Sequence, residues 1–91
     1  MILDSFKQQP ADVLDYDIDF SDFLPPTDTI SSATVSASGG ALGLSYAITP
    51  KRIKVWCYGG VDGGKYKVTV TANTAESRTK QVEFRLMVKD E

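Results

Sequence analysis

The sequence contains no histidine and a single cysteine among its 91 residues. Without an imidazole there is no catalytic triad, no histidine general base and no His-containing zinc site. One thiol, Cys57, builds neither a thiolate cluster nor an internal disulfide. Bases are also few: ten Lys and Arg stand against twelve Asp and Glu, a net charge of −2. They nowhere crowd densely enough to neutralise a row of phosphates, so nucleic acid is not expected as a partner. Apolar runs extend only a few residues, too short for a bilayer span or the hydrophobic segment of a signal peptide, and no membrane association is expected.

What is present suits one small globular domain. Apolar residues make up 42% of the chain and seven glycines accompany them, which is enough to build one core but not two. Charge is unevenly spread. Residues 1–45 carry a balance of −6 and residues 46–91 one of +4. In a sheet protein an acidic strand beside basic ones cancels this locally; otherwise the body is dipolar, with an acidic flank that docks on a basic partner or on another copy of itself.

Residues 1–12 show a period of neither 2 nor 3.6, and Pro10 has no amide to give a ladder, so they read as an N-terminal arm. Ile2, Leu3 and Phe6 are apolar enough to strap that arm onto a neighbour. The domain proper is expected over 13–91. Leu14, Tyr16, Ile18 and Phe20 alternate with Asp15, Asp17 and Asp19, placing four apolar side chains on one strand face and three carboxylates on the other. Ser21–Asp28, with Pro25-Pro26, reads as a loop or short helical turn. Thr29–Ala37, Leu42–Ile48, Arg52–Tyr58, Lys65–Ala72 and Val82–Val88 repeat the alternation, with Gly or Pro between most of them. No stretch makes an amphipathic helix of ten residues. Six to seven short strands at this spacing predict an all-β fold, most simply an immunoglobulin-like β-sandwich, held by packing alone because Cys57 has no partner.

The candidate contact residues follow from the same alternation. Asp15, Asp17 and Asp19 form an acidic strand face. Arg52, Lys54, Trp56 and Tyr58 form a basic-aromatic face on another strand, the composition favoured at interface centres; alternatively Trp56 covers one end of the core. Asp15-x-Asp17-x-Asp19-x-x-Asp22 superficially matches a calcium loop, but Phe20 stands where glycine is needed and Pro26 where a bidentate glutamate is needed. Paired carboxylates for glycoside hydrolysis lack an apolar pocket to raise one pKa. No catalytic residue, cofactor or metal is therefore expected, and Cys57 reads as a small buried hydrophobe.

The string from Lys7-Gln-Gln-Pro10 through Leu14-Asp-Tyr16-Asp17-Ile-Asp-Phe20-Ser-Asp-Phe-Leu24-Pro25, then Asp28-Thr29-Ile30, Val55-Trp56, Gly59-Gly60, Tyr66-Lys-Val-Thr-Val70 and Ser77-Arg78, resembles the tailed-bacteriophage fiber-tail adaptors. These are short structural proteins of phages and prophages. The chain departs from their pattern at Leu42–Ile48 and Thr49-Pro50-Lys51-Arg52, where it lacks a polar, Thr/Ser-rich hairpin. The resemblance implies a non-enzymatic virion component, synthesised in the bacterial host cytoplasm and assembled by contacts with other virion proteins of the tail or head-tail region, with a homo-oligomer open. The alternatives are a head decoration or tail accessory domain using similar contacts, and a carbohydrate- or cell-surface-binding module with Trp56 and Tyr58 as its stacking platform.

Overall fold

Alternating apolar residues bury a strand on one face only, so sheets built from such strands must pack face to face. The computed structural model describes residues 2–40 and 42–90, with side chains from Ser5 onward. Seven strands run in the order β1 (Ile2–Gln8), β2 (Val13–Asp19), β3 (Ile30–Ser38), β4 (Gly43–Ile48), β5 (Arg52–Tyr58), β6 (Lys65–Thr74) and β7 (Thr79–Val88). A 3-10 turn, Ser21–Phe23, follows β2. One sheet has the order β1-β7-β6-β3 and the other β2-β5-β4. The protein is an all-β sandwich of seven strands.

The inward faces supply one core. Ile18, Phe20, Ile53, Val55 and Cys57 from the three-stranded side meet Val68, Val70, Val82, Phe84, Leu86 and Val88 from the four-stranded side. Tyr16 packs against this cluster from its margin, its ring 5.4 Å from that of Phe84. Tyr16, Phe20, Val55, Val70, Phe84 and Leu86 thus share one core, as their phases require. The phase fails in part along β4, where Leu42 and Leu44 pack inward while Tyr46 and Ile48 stay exposed. As an edge strand β4 has a neighbour on one side only, and the Tyr46 hydroxyl reaches out to donate to the Ala33 carbonyl at 3.1 Å. Leu14 is likewise exposed, at 41%, because it lies at the open end of β2.

The first segment differs from its reading as an arm. Ile2–Gln8 form a strand that pairs in parallel with β7, Phe6 opposite Leu86 and Gln8 opposite Val88. The side chains of Ile2 and Leu3 lie outside the described residues. Alternation is weak here because the inward positions are Phe6 and Gln8, one apolar and one amide. Gln8 is buried, and it is satisfied there: its amide donates to the Cys57 carbonyl at 3.2 Å and its carbonyl accepts from the Tyr16 hydroxyl at 2.7 Å. These bonds join the two sheets. Pro10 causes no conflict, since it sits in the turn closed by the Asp12 amide on the Gln9 carbonyl at 3.0 Å, and the Asp12 carboxylate accepts the Gln9 amide at 2.8 Å. Burial pushes the Tyr16 hydroxyl up to about 12, with smaller contributions from Cys57, Asp12 and Asp15.

Truncating Phe20, Val55 or Phe84 to alanine is expected to destabilise the protein by about 2–5 kcal/mol each, measured by urea denaturation. Tyr46→Ala on the exposed edge is expected to cost less than about 1.5 kcal/mol, the worth of one net hydrogen bond.

Candidate functional site

In an antiparallel pair the residues directly opposite each other share a face, so the register decides which outward side chains meet. β2 pairs antiparallel with β5: Val13 opposite Tyr58, Asp15 opposite Trp56, Asp17 opposite Lys54 and Asp19 opposite Arg52. β4 flanks β5 on its other side, with Gly43 opposite Tyr58, Ser45 opposite Trp56 and Ala47 opposite Lys54. All seven predicted contact residues therefore lie on one outer face, that of the three-stranded sheet.

This merges what the alternation alone presents as two separate faces. The acidic row and the basic-aromatic row are neighbours, and part of the uneven charge of the chain cancels across the β2–β5 pair, where Asp15, Asp17 and Asp19 meet Arg52 and Lys54. Arg52 Nη2 lies 3.7 Å from an Asp19 oxygen and Lys54 Nζ 3.8 Å from an Asp15 oxygen. Both pairs are about half exposed, so each adds little to stability. Asp19 is further engaged by the turn that follows it. The Ser21 hydroxyl and the Ser21 amide, at 2.9 Å, hold its carboxyl below the usual range, with Arg52 assisting against a small desolvation.

Trp56 does not cover the core. It projects from the outer face and is half-buried there, with the Lys54 ammonium 5.7 Å from its ring centre. Tyr58 is 40% exposed, and its ring fills the space beside Gly43, where a Cβ would fall 2.1 Å from a ring carbon. Glycine at that position is what leaves room for the ring. Asp17, Ala47, Thr49, Arg52, Lys54 and Trp56 enclose a shallow hollow of 280 Å³. The face offers a planar indole, a phenol and charges of both signs, and no paired nucleophile and base. Among the described residues no three acids or thiols converge as metal ligands. The Cys57 thiol faces the core, and burial pushes it up to about 11, which keeps it protonated and unreactive.

The sequence reading passed over the network that holds this face in place. Asp28 is fully buried at 0% exposure. Its carboxylate accepts from the amides of Thr29 at 2.9 Å and Glu76 at 3.1 Å, and from Arg78 Nη1 at 2.9 Å. Lys51, the residue before β5, donates its ammonium to the carbonyls of Pro25 and Asp28. Burial by itself would raise the Asp28 pKa; the hydrogen bonds from Thr74, Arg78 and the two amides outweigh it and hold the carboxyl below its ordinary value. The signal available in the sequence is an aspartate two residues after the Pro25-Pro26 pair, a frequent turn residue that no local pattern marks as buried.

A carboxyl whose pKa is depressed by folding stabilises the protein above its unfolded-state value near 4 and loses that contribution as pH falls through the folded-state value. Asp28→Asn is therefore expected to lower Tm at neutral pH by more than about 10 °C and to flatten the acid side of the stability profile. Thermal melts between neutral pH and about pH 2 check this: the gap between the two proteins should narrow only below about pH 4.

Comparison with known proteins gives one family match. A family model described as podophage GP4 fiber-tail adaptor protein gp77 matches residues 8–87, from the last residue of β1 almost to the end of β7. No curated protein matches the chain. With the match covering nearly the whole sandwich, the chain belongs to the podophage fiber-tail adaptor family.

Proposed function

We propose that this adaptor works without chemistry of its own, as a virion component that docks on other phage tail proteins through the outer face of the three-stranded sheet. The observation that carries the reading is the β2–β5 register, which sets Asp15, Asp17 and Asp19 against Trp56, Lys54 and Arg52 on one accessible surface. An indole and a phenol held by a rigid sheet give contact area at small conformational cost, and the surrounding charges fix orientation and exclude wrong partners. The weak ion pairs within the face can open toward a partner, since half-exposed pairs contribute little to the free protein.

The sandwich is best understood as immunoglobulin-like. The second, fourth and fifth strands form one sheet, and the third, sixth and seventh lie together in the other, the division made by strands B, D, E and C, F, G of that fold; the first strand departs from it by pairing with the seventh instead of joining the second. Tyr66, near the start of β6, supports it: its hydroxyl accepts the Val61 amide at 3.0 Å, in the manner of the tyrosine corner.

The test is occupancy on tails assembled without this protein. Purified wild type should bind such tails, and Trp56→Ala and the triple change Asp15→Asn, Asp17→Asn, Asp19→Asn should each weaken binding by at least about tenfold. Tm should shift little in the triple variant, because those side chains face away from the core. Unchanged occupancy in both variants overturns the docking face. Binding to a glycan panel that vanishes in Trp56→Ala while tail occupancy stays intact would assign the face to carbohydrate instead.

A further inference from the structure

An adaptor must hold two things, yet the register folds both predicted contact faces into one, so a second surface is needed. The opposite side of the sandwich carries a hollow of 640 Å³ on the outer face of the four-stranded sheet. Two cross-strand rows build it. One runs Ser5, Arg85, Lys67, Ser38 and the next Lys7, Met87, Lys65. Met87, 37% exposed, thus has Lys7 and Lys65 on either side and Arg85 and Lys67 in the row beside it.

This arrangement works against the stability of the free protein. Arg85 lies directly opposite Lys67, and like charges placed so repel. Glu83 offsets only part of this, from 3.7 Å on the far side of Lys67; among the described residues no acid pairs with Lys65 or Arg85. The other outer face handles charge in the contrary way, matching each of its two bases to an acid. A cluster of like charge around an exposed methionine is complementary to carboxylates around an apolar side chain.

We propose that this hollow is a second docking site and that its occupant is an acidic, extended segment of a partner protein, with an apolar side chain seated on Met87 and carboxylates facing Lys7, Lys65, Lys67 and Arg85. The thioether adapts to whatever apolar group arrives, and four cations at the rim steer an acidic chain. A second copy of this chain fits less well, because Asp15 and Asp19 of its acidic strand are already matched by Lys54 and Arg52. Nucleic acid fits less well too. Four bases with Glu83 among them neutralise few phosphates, and no exposed aromatic ring stands in the hollow for a base to stack on. The site is independent of the opposite docking face and shares none of its residues.

Amide chemical shifts of the full chain, titrated with a synthetic peptide of alternating Asp and Leu, test this. Shifts should move in Ser5–Lys7, Lys65–Lys67 and Arg85–Met87 and leave β2 and β5 unmoved. Affinity should fall by at least about tenfold in Lys65→Glu, Lys67→Glu, and added salt should weaken the wild type. The neutral pair Lys65→Gln, Arg85→Gln guards against a folding defect and should weaken binding by a smaller factor at unchanged Tm. Equal affinity in the charge-reversed variant, equal binding of a Lys-Leu peptide, or movement on β2 and β5 overturns the site. So does tighter binding of oligothymidylate at the same amides, or self-association that fills the hollow with β2 of another copy. Because the variants spare Asp15, Asp17, Asp19 and Trp56, failure here leaves the tail-occupancy test of the opposite face standing.

Discussion

One buried carboxylate organises an end of this molecule. Asp28 gathers the loop before β3, the β6–β7 turn through Glu76 and Arg78, and Thr74 at the end of β6. Lys51 brings in the β4–β5 turn by binding the carbonyls of Pro25 and Asp28. Backbone bonds complete the closure: the Phe20 amide donates to Lys51 at 2.8 Å, Ile30 to Pro50 and Ala75 to Thr29, each at 2.9 Å. A buried charge with every lone pair committed adds modest net stability, but removing one partner leaves the others desolvated and unpaired. The consequence reaches the proposed docking face. β2 ends beside Phe20 and β5 begins beside Lys51, so the clamp fixes the ends of the two strands whose register sets acids against bases.

The other end is built on different physics. All seven glycines fall between residues 39 and 64, in the β3–β4 and β5–β6 connections and at the start of β4. Gly39 has a positive φ and leaves no room for a side chain, since a Cβ there would lie 2.2 Å from the Lys65 carbonyl oxygen. Gly64 gives its space to the Tyr66 ring, whose hydroxyl holds the Val61 amide. One end is held by charge and the other by close approach of backbone to ring. Both proposed contact faces lie between them, on sheets that neither end allows to slide.

Alternation made most strands readable, because each of β2, β5, β6 and β7 buries one face and exposes the other. β1 escaped because its inward positions are an aromatic and an amide, and the amide is tolerated only through bonds to Cys57 and Tyr16 that are remote in sequence. The seven candidate contact residues are legible singly and illegible as a surface. A period of 2 assigns a side chain to a face of its own strand, but it carries no information on which strand lies next to it. For the same reason Lys7, Lys65, Lys67 and Arg85 look like ordinary solvated positions until three strands align them. Asp28 was hidden differently, since a loop aspartate reads as exposed and only the convergence of three turns buries it.

The two outer faces make opposite electrostatic choices, and the difference bears on what each does. Where β2 meets β5, acids stand opposite bases, so the free protein is content and a partner must offer shape and aromatic contact to displace weak pairs. Where β6 meets β7, Arg85 stands opposite Lys67 with Lys65 in the adjoining row, an arrangement that works against the stability of the isolated chain. Such a face is stabilised when anionic groups arrive, so binding there is expected to fall with salt, while binding on the largely paired face is expected to lean on its aromatic contacts. For an adaptor that uses both proposed faces this separation keeps the partners distinct: a segment acidic enough for one side meets a carboxylate row on the other.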